Sequence, residues 1–127
     1  MEEDRFYSEQ LESLLPSSVA RYVKVIYSAV LEESVDGSVS KFYRDTPVHP
    51  YDLLFIDGPR VRTQLKQFDG DILKILEWNA SSFEAYIDGR KFTRETLMRL
   101  MPYVKIKHNS IHSFTHITVP DKSGRSI

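Results

Sequence analysis

Two short segments of this chain combine residue types that can do chemistry: Phe55-Ile56-Asp57-Gly58-Pro59 and Tyr86-Ile87-Asp88-Gly89-Arg90. In each, an apolar run suited to a buried strand ends in an aspartate, and a glycine follows where the chain must turn sharply. In open α/β sheets, ligands bind outside the carboxyl ends of the strands. If the two strands are neighbours, Asp57 and Asp88 converge on one crevice. Carboxylates placed there can accept hydrogen bonds from ligand hydroxyls, act as a general base, or offer oxygen atoms to a divalent cation. Either aspartate taken alone is equally well explained as turn chemistry, capping the backbone that follows it. Their recurrence at equivalent places favours the functional reading.

Arg60, Arg62 and Arg90 lie just beyond these strand ends, where a guanidinium can clamp a carboxylate or phosphate or simply be solvated surface. His108, His112 and His116 are spaced four apart and would align on a helix, but the surrounding HSFTHITV alternates as a strand. On a strand His112 and His116 share a face about 13 Å apart, too far for one ion. No metal centre is expected. His49 and His108, in loops, are the histidines placed to act as a general base. Trp78 and the seven tyrosines are spread evenly instead of interleaving with basic residues, so they read as core and rim.

The elements that must position these residues follow from periodicity and turn signals. Tyr7, Leu11, Leu14 and Leu15 predict a helix from Asp4 to Leu15, ended by Pro16 and two serines. Tyr22 to Leu31 reads as a strand, and Asp36-Gly37 turns it into a second, Ser38 to Tyr43. Tyr51 to Ile56 suits a central strand buried on both faces. Val61, Leu65, Phe68, Ile72 and Leu76 predict a helix from Val61 to Trp78, which Gly70 either weakens or splits in two. Phe83 to Ile87 is a strand. A helix with Thr93 as its N-cap and Leu97, Met98, Leu100 and Met101 on its apolar face follows, closed by Pro102. Tyr103 to Lys107 and Ile111 to Val119 read as final strands, and Asp121 to Ile127 as a loose tail. This alternation predicts one α/β domain over residues 1–120, with a sheet parallel in its middle and helices on both faces.

With 127 residues, 41% of them hydrophobic and 28% charged, the chain is long enough for a core of its own. A formal net charge of −1 leaves no positive excess to hold a phosphate backbone, which argues against a nucleic-acid partner. The absence of cysteine removes disulfides, thiolate metal sites and thiol nucleophiles together. The N-terminus is acidic where a secretory signal would be basic, and no stretch approaches the roughly 18 apolar residues of a membrane span. The expectation is therefore a cytoplasmic protein without a membrane partner.

The segment Tyr51 to Pro59, YDLLFIDGP, resembles the fourth-strand motif of class I S-adenosylmethionine-dependent methyltransferases, above all the compact branch whose strand ends in isoleucine-aspartate-glycine. Glu2-Glu3-Asp4, running straight into a helix at Phe6 and Tyr7, is similar to the acidic end of that family's second strand, where an acidic residue holds the ribose hydroxyls of the cofactor. Laid over the family, the chain runs from the end of the second strand to the terminal antiparallel pair. The resemblance implies a partial Rossmann-like sheet, mostly parallel with an antiparallel C-terminal strand pair. It also implies S-adenosyl-L-methionine as cofactor and a small-molecule acceptor of the methyl group.

On this reading Asp57 and Asp88 belong to the catalytic crevice. Glu2, Glu3, Asp4, Asp57 and Gly58 lie on the cofactor side, and Arg60 and Arg90 on the substrate side. The chain departs from the family in having no G-x-G-x-G turn, since its first glycine is Gly37. Cation-dependent O-methyltransferases of the family carry metal-binding aspartates matching Asp57 and Asp88, but the asparagine after the second is here Gly89, so no metal is carried over. The missing first strand reads as a fragment, with an upstream polypeptide segment as a natural partner. The alternative is a non-catalytic α/β module that pairs through an exposed sheet edge, for instance as a homodimer.

Overall fold

The computed structural model describes residues 1–88 and 90–125, and these form an α/β structure with two mixed sheets. The first sheet grows from the Asp36-Gly37 turn, where both residues take positive φ (49° and 79°) as a two-residue hairpin requires. That turn joins β1 (Val30–Val35) to β2 (Ser38–Tyr43) as an antiparallel pair, and β4 (Gln67–Asp69) adds in parallel on the other side of β2. The second sheet has the order β3-β5-β7-β6, built from β3 (Leu53–Ile56), β5 (Phe83–Asp88), β6 (Lys105–Asn109) and β7 (Phe114–Val119).

Among the strands of the described residues, β2 with β4 and β3 with β5 pair in parallel, while β1–β2, β5–β7 and β6–β7 are antiparallel. The expected predominance of parallel strands is therefore not found. Nor, among the described residues, do helices cover both faces of the larger sheet. The core gathers Phe83, Ala85, Ile87, Ile117 and Val119 from one face of the strands, together with Ile72 and Ile75 of α3 (Asp71–Leu76) and Leu97 of α4 (Lys91–Leu100). Residues of opposite parity, Glu84, Tyr86, Asp88, His116 and Thr118, stand exposed or half-buried on the other face. The same core takes in Phe68 of β4 and Val35 of β1, so both sheets share it.

Three further expectations change. The strand placed at the sheet centre, β3, is an edge strand, and Leu53 (48% exposed) and Phe55 (76%) show their side chains to solvent. The single helix expected from Val61 to Trp78 is a 3₁₀ turn at Thr63–Leu65, then β4, then α3. Lys66 takes a left-handed φ of 56°, which no helix interior admits, and Gly70 marks the break. Thr93 does not cap α4; Arg90 occupies that position, and buried Thr93 accepts the Asp69 N–H through Oγ1 at 3.2 Å.

At the N-terminus, α1 (Arg5–Leu14) begins where Asp4 accepts the Tyr7 N–H at 3.2 Å. Its apolar stripe of Tyr7, Leu11 and Leu14 is exposed; the helix ends at Leu14, ahead of Pro16 as expected, and a separate short helical turn, α2 (Ser17–Ala20), follows. Of the strand expected over 22–31, only Tyr27 pairs, in a parallel bridge with Glu2, before β1 starts at Val30. The expected loose tail is tied down as far as Arg125, whose guanidinium donates to the Pro120 and Ser81 carbonyls; residues 126 and 127 lie outside the described residues. No described helix is long and apolar enough to cross a membrane.

Candidate functional site

The parallel register of β3 with β5 pairs Ile56 with Ile87, so Asp57 and Asp88 emerge side by side at the carboxyl ends of adjacent strands. Both are exposed, and together they line a cleft of about 280 Å³ bordered by Phe55, Tyr86 and Phe114. This is the convergence the two Asp-Gly segments predict. Gly89 lies outside the described residues. Gly58 turns the chain at a φ of 155°, and a Cβ there would stand 3.0 Å from the Tyr43 hydroxyl. Glycine thus lets β3's end and β2's Tyr43 approach each other.

Arg90 is not a free clamp. Its Nη1 faces the Pro59 carbonyl at 3.3 Å and Asp69 Oδ2 at 3.4 Å, and its Nε faces Asp88 Oδ2 at 3.5 Å. Behind it, Asp69 is 1% exposed and its Oδ1 has no hydrogen-bond partner among the described residues. Burial pushes the Asp69 carboxyl up to about 6; Arg90 pulls it down, while Asp88 and Asp57 push it further up.

A second cavity, about 310 Å³, lies on the other side of Asp57 and Gly58, between the β3 edge and Tyr43. Asp71, the first residue of α3 and 7% exposed, lines it and accepts the Tyr43 N–H through Oδ1 at 2.9 Å. Burial raises the Asp71 carboxyl to about 7, against the lowering effect of that N–H, with Asp69 raising it further. The Tyr43 phenol is held well above its ordinary range by burial and then by Glu3, Asp71, Glu2 and Asp69. The surroundings of this cavity are strongly negative.

Glu2, Glu3 and Asp4 line a third cleft of about 410 Å³ with Lys41, Arg60 and Arg62, and Glu3 Oε1 accepts the Arg60 N–H at 3.4 Å. The expected cofactor-side acids and Arg60 are therefore together, one cleft away from Asp57 and Asp88. The histidines are elsewhere. His49 leans on Tyr51 with ring centroids 4.0 Å apart, and His108 meets Thr115 at 3.2 Å. His116 contacts Glu84 at 3.0 Å, and His112 sits in the turn before β7 instead of on the strand. Among the described residues no three histidine or carboxylate side chains stand close enough to hold a metal ion.

Reading from the sequence missed Asp69 and Asp71. Asp69-Gly70 is one more Asp-Gly pair after an apolar residue, the signal that drew attention to Asp57 and Asp88, but helical periodicity across it concealed the turn. Comparison with family models, with curated proteins and with solved structures finds no match to this chain.

Proposed function

We propose that the chain is a partial methyltransferase-like α/β unit whose strand-end crevice serves transfer of a methyl group from S-adenosyl-L-methionine to a small acceptor. The observation that carries this reading is the parallel pairing of β3 with β5, which brings Asp57 and Asp88 to one crevice. Two features support it. β7 reverses to lie between β5 and β6, giving the terminal antiparallel pair that the resemblance implies. Glu2 makes an isolated parallel bridge with Tyr27 just ahead of α1, and the family's acidic strand end likewise runs into a helix.

The residues present fit the cofactor in part. Glu2 and Glu3 offer acceptors for ribose hydroxyls, and Asp57 stands between the cavity at Gly58 and the cleft with Asp88. When bound, S-adenosylmethionine supplies an activated methyl group. Transfer is an in-line displacement, so the chain mainly holds and aligns the acceptor. Asp88, at the cleft with Phe55, Tyr86 and Phe114 as apolar walls, orients a hydroxyl or amine acceptor, and Asp57 takes up its proton. Arg90 holds Asp88 and Asp69 in place.

Calorimetric titration with S-adenosylmethionine and S-adenosylhomocysteine tests this. Saturable binding is expected, weakened roughly 10- to 100-fold by Asp57→Ala, the worth of a charge-assisted hydrogen bond. A folded protein that gives no saturable heat overturns the reading.

A second reading, a non-catalytic module that pairs through its sheet edge, draws on a different observation: edge strand β3 exposes Phe55 and Leu53. Sedimentation over a wide dilution series is expected to show self-association that Phe55→Lys abolishes. A monomer at every concentration counts against it.

A further inference from the structure

We infer that the cavity between the β3 edge and Tyr43 is a binding site for an organic ammonium ion, held by aromatic walls and by Asp71 and Asp57. Its volume of about 310 Å³ is at the small end of ligand sites. Three aromatic residues, Tyr43, Tyr51 and Phe55, line it with the two carboxylates, and among the described residues no lysine or arginine does. Aromatic faces beside carboxylates attract alkylated ammonium groups, more strongly as water is excluded. The Tyr51 hydroxyl donates to the Pro47 carbonyl at 2.6 Å, which fixes that ring as a wall.

Asp71 supplies the anchor. It is more than nine-tenths buried, and only Oδ1 has a donor, the Tyr43 N–H. Oδ2 has no hydrogen-bond partner among the described residues and is not one of the fully enclosed atoms, so it is open to water or to a cation entering the cavity. An anionic ligand would meet Asp57, Asp71 and the field of Glu2, Glu3 and Asp69 that already raises the Tyr43 phenol. A neutral apolar ligand would leave Asp71 unpaired. Met1 also lines the cavity, and the charge of its ammonium already acts on Asp71 in the direction a bound cation would.

The carboxyl of Asp71, faced by Tyr43 from β2, Asp69 from β4, Asp57 across the cavity and the Met1 ammonium, ionises near neutral pH. Cation binding favours its charged form, so affinity rises as pH is raised through about 7. The site shares Asp57 with the crevice above but does not depend on methyl transfer.

Choline and its uncharged isostere 3,3-dimethylbutan-1-ol, titrated into the full chain and followed by backbone amide shifts, provide the test. Choline is expected to shift Tyr43, Asp57 and Asp71 saturably, and the alcohol to bind at least roughly tenfold more weakly. Asp71→Asn, which keeps the acceptor for Tyr43, is expected to weaken choline by a similar factor and to flatten its pH dependence. Equal affinity for the two compounds, unchanged choline binding by Asp71→Asn, or no choline shifts overturns the inference. Loss of this site leaves the methyl-transfer reading standing, because that reading is tested by titration with S-adenosylmethionine and its acceptor residue Asp88 lies outside this cavity.

Discussion

Gly70→Ala is expected to destabilise the protein by about 3 kcal/mol, the upper part of the range for overpacking a filled interior. A Cβ at residue 70 would fall well inside contact distance of Ser40 Oγ and 2.9 Å from Ser40 Cβ. Neither side can yield easily. Ser40 is 1% exposed in the middle strand of its sheet, and Gly70 is pinned by donating its N–H to the Lys41 carbonyl at 2.8 Å. The loss should lower the thermal midpoint by about 10 °C for a domain of this size. Adding Ser40→Gly removes the obstruction and leaves Ser40 Cα at 3.4 Å. A glycine in a strand interior itself costs roughly 0.5–1 kcal/mol, yet the double variant is expected to be more stable than Gly70→Ala alone. Chemical denaturation of the four proteins measures this, and additive losses would show that the clash at Ser40 is not the cause.

Asp71→Asn is expected to act in the opposite sense, increasingly so as pH rises from 3.8 to about 7 and in full above that. The folded carboxyl is raised to about 7, against an ordinary value of 3.8, chiefly by burial. A group raised on folding contributes stability in full below its unfolded value and loses that contribution as pH climbs through its folded value. At about pH 8 the ionised, buried Asp71 therefore weighs against the fold by on the order of 2–4 kcal/mol. Asparagine removes the charge and can still accept the Tyr43 N–H. Urea denaturation should show the variant more stable by that order near pH 8, with the gain shrinking as pH falls and gone near pH 4. A gain that is equal at both ends would mean the ionisation of Asp71 is not its source. Asp69, raised to about 6, contributes a pH dependence of the same sign at lower pH.

The ends of β3 and β5 were legible because an apolar run terminated by Asp-Gly is a local signal, readable without knowing any neighbour. Their adjacency was not legible, and neither was the edge position of β3, because alternation along one chain does not say which strands pair. Phe55 reads as a core residue in sequence and is mostly exposed in the structure. The stretch from Val61 to Trp78 failed for a different reason. Phe68 and Ile72 both reach the core, one from a strand and one from a helix, and their spacing of four imitates a single helical face. The charge centre at Asp69 and Asp71 was hidden inside that imitation.

The spacing of the strand partners along the chain sets the order in which this molecule can assemble. Val35 meets Ser38 and Asn109 meets Phe114 across short turns, so the β1–β2 and β6–β7 hairpins close locally, on a scale of roughly microseconds. β5 has no such shortcut: Leu53 pairs with Glu84, 31 positions on, and Phe83 pairs with Val119, 36 positions on. Each of these loops must close before its contacts can compensate for the lost chain entropy. Asp57 and Asp88 are strangers until β3 and β5 join, so the crevice they share forms only after one of the chain's long loops has closed, later than the local hairpins.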